Sequence, residues 1–250
     1  MSVASVSVAN TRDNLAVLAN ADIANAGLAN AGLLDDLRGL AASKPDESLG
    51  DLRFRALMSD DDWASLPLPI RRRFTKRLAG GRTVVYAGEI VETRMSAAGW
   101  CFAQAARFVG APLPLSRDAN VPSVVTVTED MATGGQIWTR LYARRRGFPQ
   151  IIHSAKRFAG PTGIEEYLGR GFSMELEIGV RGGALMFRSE RYFFTLFGRR
   201  FGLPRWLSPG TMTVLHSECG DGRFEFALEV EHPRFGLLIH QVGVFRERVR

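Results

Sequence analysis

From Ser123 onward the sequence offers eight strand-like runs in succession: SVVTVTED, GGQIWTRLYAR, FPQIIHSAKRF, FSMELEIGV, GALMFRSERYFFTLF, GTMTVLHSEC, GRFEFALEV and FGLLIHQVGVF. Most are joined by short turns containing glycine, and nothing between them is long enough for a helical crossover. This succession constrains the fold more than any other feature, because strands joined by short turns run antiparallel. Met174, Leu176, Ile178 and Val180 alternate with Glu175 and Glu177, and Phe224, Phe226, Leu228 and Val230 with Glu225, Glu229 and Glu231. One face of the sheet is therefore dry and the other wet. An earlier run, RTVVYAGEIVET, broken by Gly88, brings the expectation to about nine strands, a size at which antiparallel sheets curl and close to remove their edges. The predicted fold is mainly β (α+β): a curved antiparallel sheet or partly closed calycin-like β-barrel over residues 82–247, with a few short helices. A helix-grip arrangement would need a long C-terminal helix, whereas FGLLIHQVGVF reads as strand.

The helices are legible from their caps. SDDDWASLPLPIRRRFTKRL has Ser59 as N-cap, acids in the first turn and Ile70, Phe74 and Leu78 at spacing four, with Pro67 and Pro69 splitting it in two. SAAGWCFAQAARFVG is a helix capped by Ser96 and stopped by Gly110, placed to plug or flank the barrel mouth. Residues 1–50 differ in kind. AVLAN, ADIAN, AGLAN and AGLLD repeat with period five, too few units to stack, so the segment is expected to be low-complexity and disordered, with residues 51–250 forming a single β-rich domain.

Charge divides the same way. The first 50 residues carry three basic and six acidic side chains, leaving 29 basic against 20 acidic in the remainder. The arginines are scattered, so a solvated basic surface accounts for them better than a nucleic-acid site. No run is long and apolar enough for a membrane span, and no leader pattern precedes the body. Cys101 and Cys219 stand far apart without metal-ligand spacing, which predicts reduced, buried thiols and a cytoplasmic protein. His153, His216, His232 and His240 lack the spacing of a metal site, and no GxGxxG links a strand to a helix, so neither a metal nor a dinucleotide cofactor is expected.

GGQIWTRLYARR, the turn LPRWLSP, GRFEFALEVEHPRFGLL and the terminal IHQVGVFR together resemble the bacterial domain-of-unknown-function family 4166, over about residues 54–245. The resemblance implies a domain found alone or fused to saccharopine-dehydrogenase-like or short-chain-dehydrogenase-like proteins, hence a dehydrogenase-type partner, and it implies no established activity. His240 stands where that family commonly has Tyr.

Candidate site residues follow from the strand periodicity. Trp138, Arg140 and Tyr142 share one face of their strand, either an outer face of stacked guanidinium and rings or a cavity wall on which Arg140 meets an anionic head and Trp138 an apolar body. Glu190 is a partner for Arg140 or Arg157 if register allows. His153, sharing a face with Ile151, Ala155 and Arg157, and His240 in the last strand are the candidate general bases. The expected function is interior binding of a hydrophobic or anionic amphiphilic small molecule. The alternative is an isomerase, hydrolase or cyclase using a cavity histidine on a similar substrate.

Overall fold

The computed structural model describes residues 50–78, 80, 82–110, 112–204 and 207–248. The expectation for the period-five segment falls outside the described residues. Eleven strands are formed: β1 (Thr83–Met95), β2 (Val121–Asp130), β3 (Gly135–Tyr142), β4 (Gln150–Arg157), β5 (Glu165–Gly169), β6 (Phe172–Arg181), β7 (Ala184–Leu196), β8 (Arg199–Gly202), β9 (Thr211–Gly220), β10 (Arg223–His232) and β11 (Gly236–Glu247). All but β8 close into a ten-stranded antiparallel barrel in which neighbours in sequence are neighbours in space and β11 returns to pair with β1. Strand β8 is a short flap on the far half of β7, where β9 has peeled away.

The turns explain the meander. Gly182-Gly183 and Asp221-Gly222 sit at positive φ in two-residue hairpins, the backbone that matches the right-handed strand twist. The sequence pattern gave nine of the strands, and the structure adds β5 and β8, of five and four residues. It also corrects the reading of Gly88 as a break. Strand β1 runs through it, and glycine is required there because a Cβ would lie 1.9 Å from the Val244 carbonyl oxygen of β11. The true irregularity is a register shift between Ile90 and Glu92.

The two ends of the barrel are closed differently. At the end where β1 begins and β11 finishes, helices α1 (Asp60–Ser65) and α2 (Leu68–Phe74) form a plug. Ser59 Oγ accepts from the Asp62 N–H, and Pro67 separates the helices, as their spacing predicted. Arg73 and Lys76 reach Glu218 and Glu247, near the ends of β9 and β11, and so fasten the plug to the rim. Trp63, Ile70 and Phe74 on these helices are buried together with Phe54, which precedes them. The Phe54 ring meets Phe74, Phe158 and Phe187 edge-on at 5.3, 5.0 and 6.1 Å. Each such burial contributes about 1.5–3 kcal/mol.

At the opposite end α3 (Ala97–Ala105) follows β1, capped by Ser96 Oγ accepting from the Gly99 N–H, and runs into a 3-10 turn (Ala106–Val109) ended by Gly110 at φ +111°. Gly99 lets the helix lie against β11, since a Cβ there would meet the Leu238 carbonyl oxygen at 2.0 Å. Cys101 and Cys219 are free and exposed, where buried thiols were expected. Their helix and strand turn those side chains away from the two cores. Among the described residues no helix is long and apolar enough to cross a membrane.

Candidate functional site

Among the described residues, aromatic packing fills the barrel at the plugged end alone. Between that core and α3 lies a cavity of about 340 Å³. Its walls are apolar: Ile90 from β1, Val125 from β2, Ile152 from β4, Met174 from β6 and Phe226 from β10, with Phe102 and Val109 closing it from above. Ala105 and Leu207, both exposed, also line it, so the cavity reaches the surface at the α3 end.

Among the described residues only two charged side chains line this cavity, Arg140 and Glu166. Arg140 donates to Ser154 Oγ at 3.0 Å, and its Nη2 lies 3.6 Å from Glu166 Oε1. The other carboxylate oxygen accepts from Lys156 Nζ at 3.0 Å. Lys156 and Glu166 are almost fully buried, whereas the Arg140 side chain is 22 % exposed. Two cations therefore share one carboxylate. Burial alone would raise the Glu166 pKa, but Lys156 and Arg140, together with Ser154, outweigh it and bring it down to about 2. Burial pushes Lys156 below its ordinary value, and Arg140 pushes the same way, against the pull of Glu166. Behind the cluster the Lys156 ammonium stands 5.1 Å from the Trp138 ring and 5.0 Å from Phe187. Tyr192, also on the cavity wall, donates to Ser189 Oγ at 3.3 Å, and burial raises its phenol to about 12.

The face Gln136, Trp138, Arg140, Tyr142 points inward, and Arg140 and Tyr142 line the cavity. Trp138 does not. It is buried one layer deeper, stacked with Phe74 at 6.5 Å. His153 is exposed, its Nδ1 3.0 Å from Thr139 Oγ1. Register explains this: Thr139 pairs with His153 and Arg140 with Ile152, and directly opposed residues share a face, so an inward Arg140 turns His153 out. Arg157 lies on the outer side over the Tyr167 ring and pairs with Asp130. His240 is likewise outside the cavity, 3.3 Å from Glu229 and 3.9 Å from Glu92.

Glu190 pairs with neither Arg140 nor Arg157. It is exposed, 3.7 Å from Arg188, and is the extra residue of a β-bulge, since Glu175 pairs with Arg191 and the next residue, Leu176, with Ser189. The bulge shifts the alternation so that Ser189 and Tyr192 fall on the same side. Lys156 and Glu166 were missed. The first was legible on the face Ile152, Ser154, Lys156; the second sits on β5, too short to stand out.

A buried polar contact also lies under the plug. His216, enclosed by Phe74, Phe224 and Phe226, has Nε2 2.6 Å from Arg73 Nη1. The guanidinium donates, so the ring accepts at Nε2 and is neutral. Burial and the adjacent Arg73 charge hold its pKa well below the ordinary value. In the unfolded chain this histidine takes up a proton below about pH 6.5, which the folded state resists, so stability falls as pH drops through that value. Glu166 adds a second loss between 4.5 and about 2, where its unfolded and then its folded form are protonated. Thermal melts across pH should show both limbs, and His216→Gln should flatten the first alone. A first limb unchanged in that variant would assign it to other groups.

Among the described residues no three His, Cys, Asp or Glu side chains are grouped to hold a metal. No curated protein and no solved structure matches the chain. A family model, described as a domain of unknown function (DUF4166), matches residues 66–245, which include the barrel strands up to the last two residues of β11 and every described residue lining the cavity. The chain, plugged barrel and apolar cavity together, belongs to the DUF4166 family.

Proposed function

We propose that the chain binds, inside its barrel, an amphiphilic small molecule with an apolar body and an anionic end. One observation carries this reading: on the wall of a mostly apolar cavity, Arg140 shares the single carboxylate of Glu166 with Lys156, which is buried behind it. A cation left uncompensated in such surroundings costs several kcal/mol, and a bound anion offsets that cost. Arg140, the more accessible of the two cations, presents the planar fork that suits a carboxylate or phosphate. The volume, about 340 Å³, is within the range of small-molecule sites.

The enzyme reading assigned the general base to His153 or His240, and both rings lie outside the cavity. Binding is the reading that the lining supports. Titration with dodecanoate and with dodecanol tests it, because the two probes share a chain and differ at the end. Dodecanoate is expected to bind about tenfold or more tightly. Equal affinities would remove the anionic end from the proposal, and failure of both would remove the cavity as a binding site. Native mass spectrometry of protein purified from cells then identifies the natural occupant by its mass.

A further inference from the structure

The α3 end of the barrel differs from the plugged end in what it shows to solvent. Every exposed phenylalanine and tryptophan among the described residues lies at the α3 end. Phe108 is on the turn after α3, Phe148 on the β3–β4 loop, Phe197 at the β7–β8 turn and Phe235 at the β10–β11 turn. Three of these are close to fully exposed: Phe108 at 80 %, Phe148 at 91 % and Phe197 at 95 %. Phe197 also has φ +48°, a conformation for which such a turn selects Asn or Gly, so turn formation does not account for a phenylalanine there. Exposed phenylalanine tips gathered at one end of the barrel mark an interaction site.

Arginines share the loops that carry these rings. Arg107, Arg144, Arg146, Arg170, Arg199 and Arg234 stand in the same loops, all exposed and none in an ion pair among the described residues. The one carboxylate in those loops, Asp118, is half-buried and accepts from the Arg145 backbone N–H. Apolar tips beside unpaired cations complement a surface that is anionic outside and hydrocarbon within. The cavity reaches the surface among them.

We propose that this end of the barrel docks on a lipid bilayer carrying anionic headgroups. The phenylalanine tips enter the headgroup and acyl boundary while the arginines meet the lipid phosphates. A single-stranded nucleic acid also takes cations and aromatic rings, but it stacks bases on them and has no use for aliphatic side chains. Here exposed Leu196, Leu207 and Leu237 belong to the same end. This surface consists of exposed rings and cations and does not depend on what the cavity holds.

Flotation of the full chain with vesicles tests the proposal. Binding is expected to vesicles of phosphatidylcholine mixed with phosphatidylglycerol, and to be much weaker with phosphatidylcholine alone. The double variant Phe148→Ser/Phe197→Ser should partition about tenfold or more weakly, with an unchanged melting temperature because both side chains lie in solvent. Met131→Ser, equally exposed but at the plugged end, should bind as the parent chain does. Failure to float with the anionic vesicles would overturn the proposal, as would equal binding by the double variant or an equal loss in Met131→Ser. Binding to single-stranded DNA that the double variant weakens, without binding to vesicles, would reassign the face to nucleic acid. The dodecanoate titration is read without vesicles, so the two proposals fail separately.

Discussion

Glu166→Gln is expected to lower the stability of the chain by about 3–5 kcal/mol, measured by urea unfolding at neutral pH. Glutamine keeps the shape of the side chain and removes its charge. Lys156, whose ammonium is 3.0 Å away in a nearly dry site, and Arg140 then both lose the one carboxylate they pair with among the described residues. Two cations facing one another without a counter-charge are worse than one, so Lys156→Met in the same background should recover part of the loss. Lys156→Met alone should be milder, because Arg140 and Glu166 remain a balanced pair. The loss should also shrink as pH rises. Burial already pushes Lys156 down, so once Glu166 is gone it sheds its proton readily and relieves the site. A loss of less than about 1 kcal/mol would mean that solvent reaches the cluster and screens it.

Arg140→Ala should behave in the opposite manner, with a small change in stability and a large one in binding. Its removal leaves Glu166 held by Lys156 as a one-to-one pair, so no buried charge is stranded. The affinity for dodecanoate should fall by about 1.5–3 kcal/mol, some ten- to a hundredfold, since the lost contact is a charge-assisted hydrogen bond. Affinity for dodecanol should hardly move. Arg140→Lys, which keeps the charge and loses the fork, should lie between. Glu190→Gln should change neither quantity, because that carboxylate is exposed on its bulge. An unchanged dodecanoate titration in Arg140→Ala would place the anionic end elsewhere, and a collapse in stability would mean that Lys156 alone does not hold Glu166.

Local chemistry was read correctly where it was self-contained. Alternation in FSMELEIGV and GRFEFALEV identified inward faces because a strand's period of two is set by its own backbone. Ser59 and Ser96 marked helix starts because a cap acts within three residues of itself. Strands β5 and β8 escaped because four or five residues offer too little periodicity, and Glu166 escaped with β5. Glu190 was misassigned because one extra residue in β7 inverts every face beyond it, and a bulge is defined only against the partner strand.

By itself the sequence determined that this chain makes an antiparallel β meander, with two Pro-split helices before it and one helix inserted after the first strand. Those outcomes depend on turn chemistry, caps and periodicity, all of which act over a few residues. Only the tertiary structure decided which side is inside in strands whose two faces are both mixed, such as β3 and β4, since that depends on cross-strand register: Arg140 opposite Ile152 sends His153 out and brings Lys156 in. Only closure of β11 onto β1 separates a filled half of the barrel from a hollow one, because Phe54, from the segment before the plug, and Phe74, from its second helix, pack at one end alone. The charge cluster on the cavity wall is the clearest case. Arg140, Lys156 and Glu166 come from three successive strands, and their shared carboxylate arises only when those strands lie side by side.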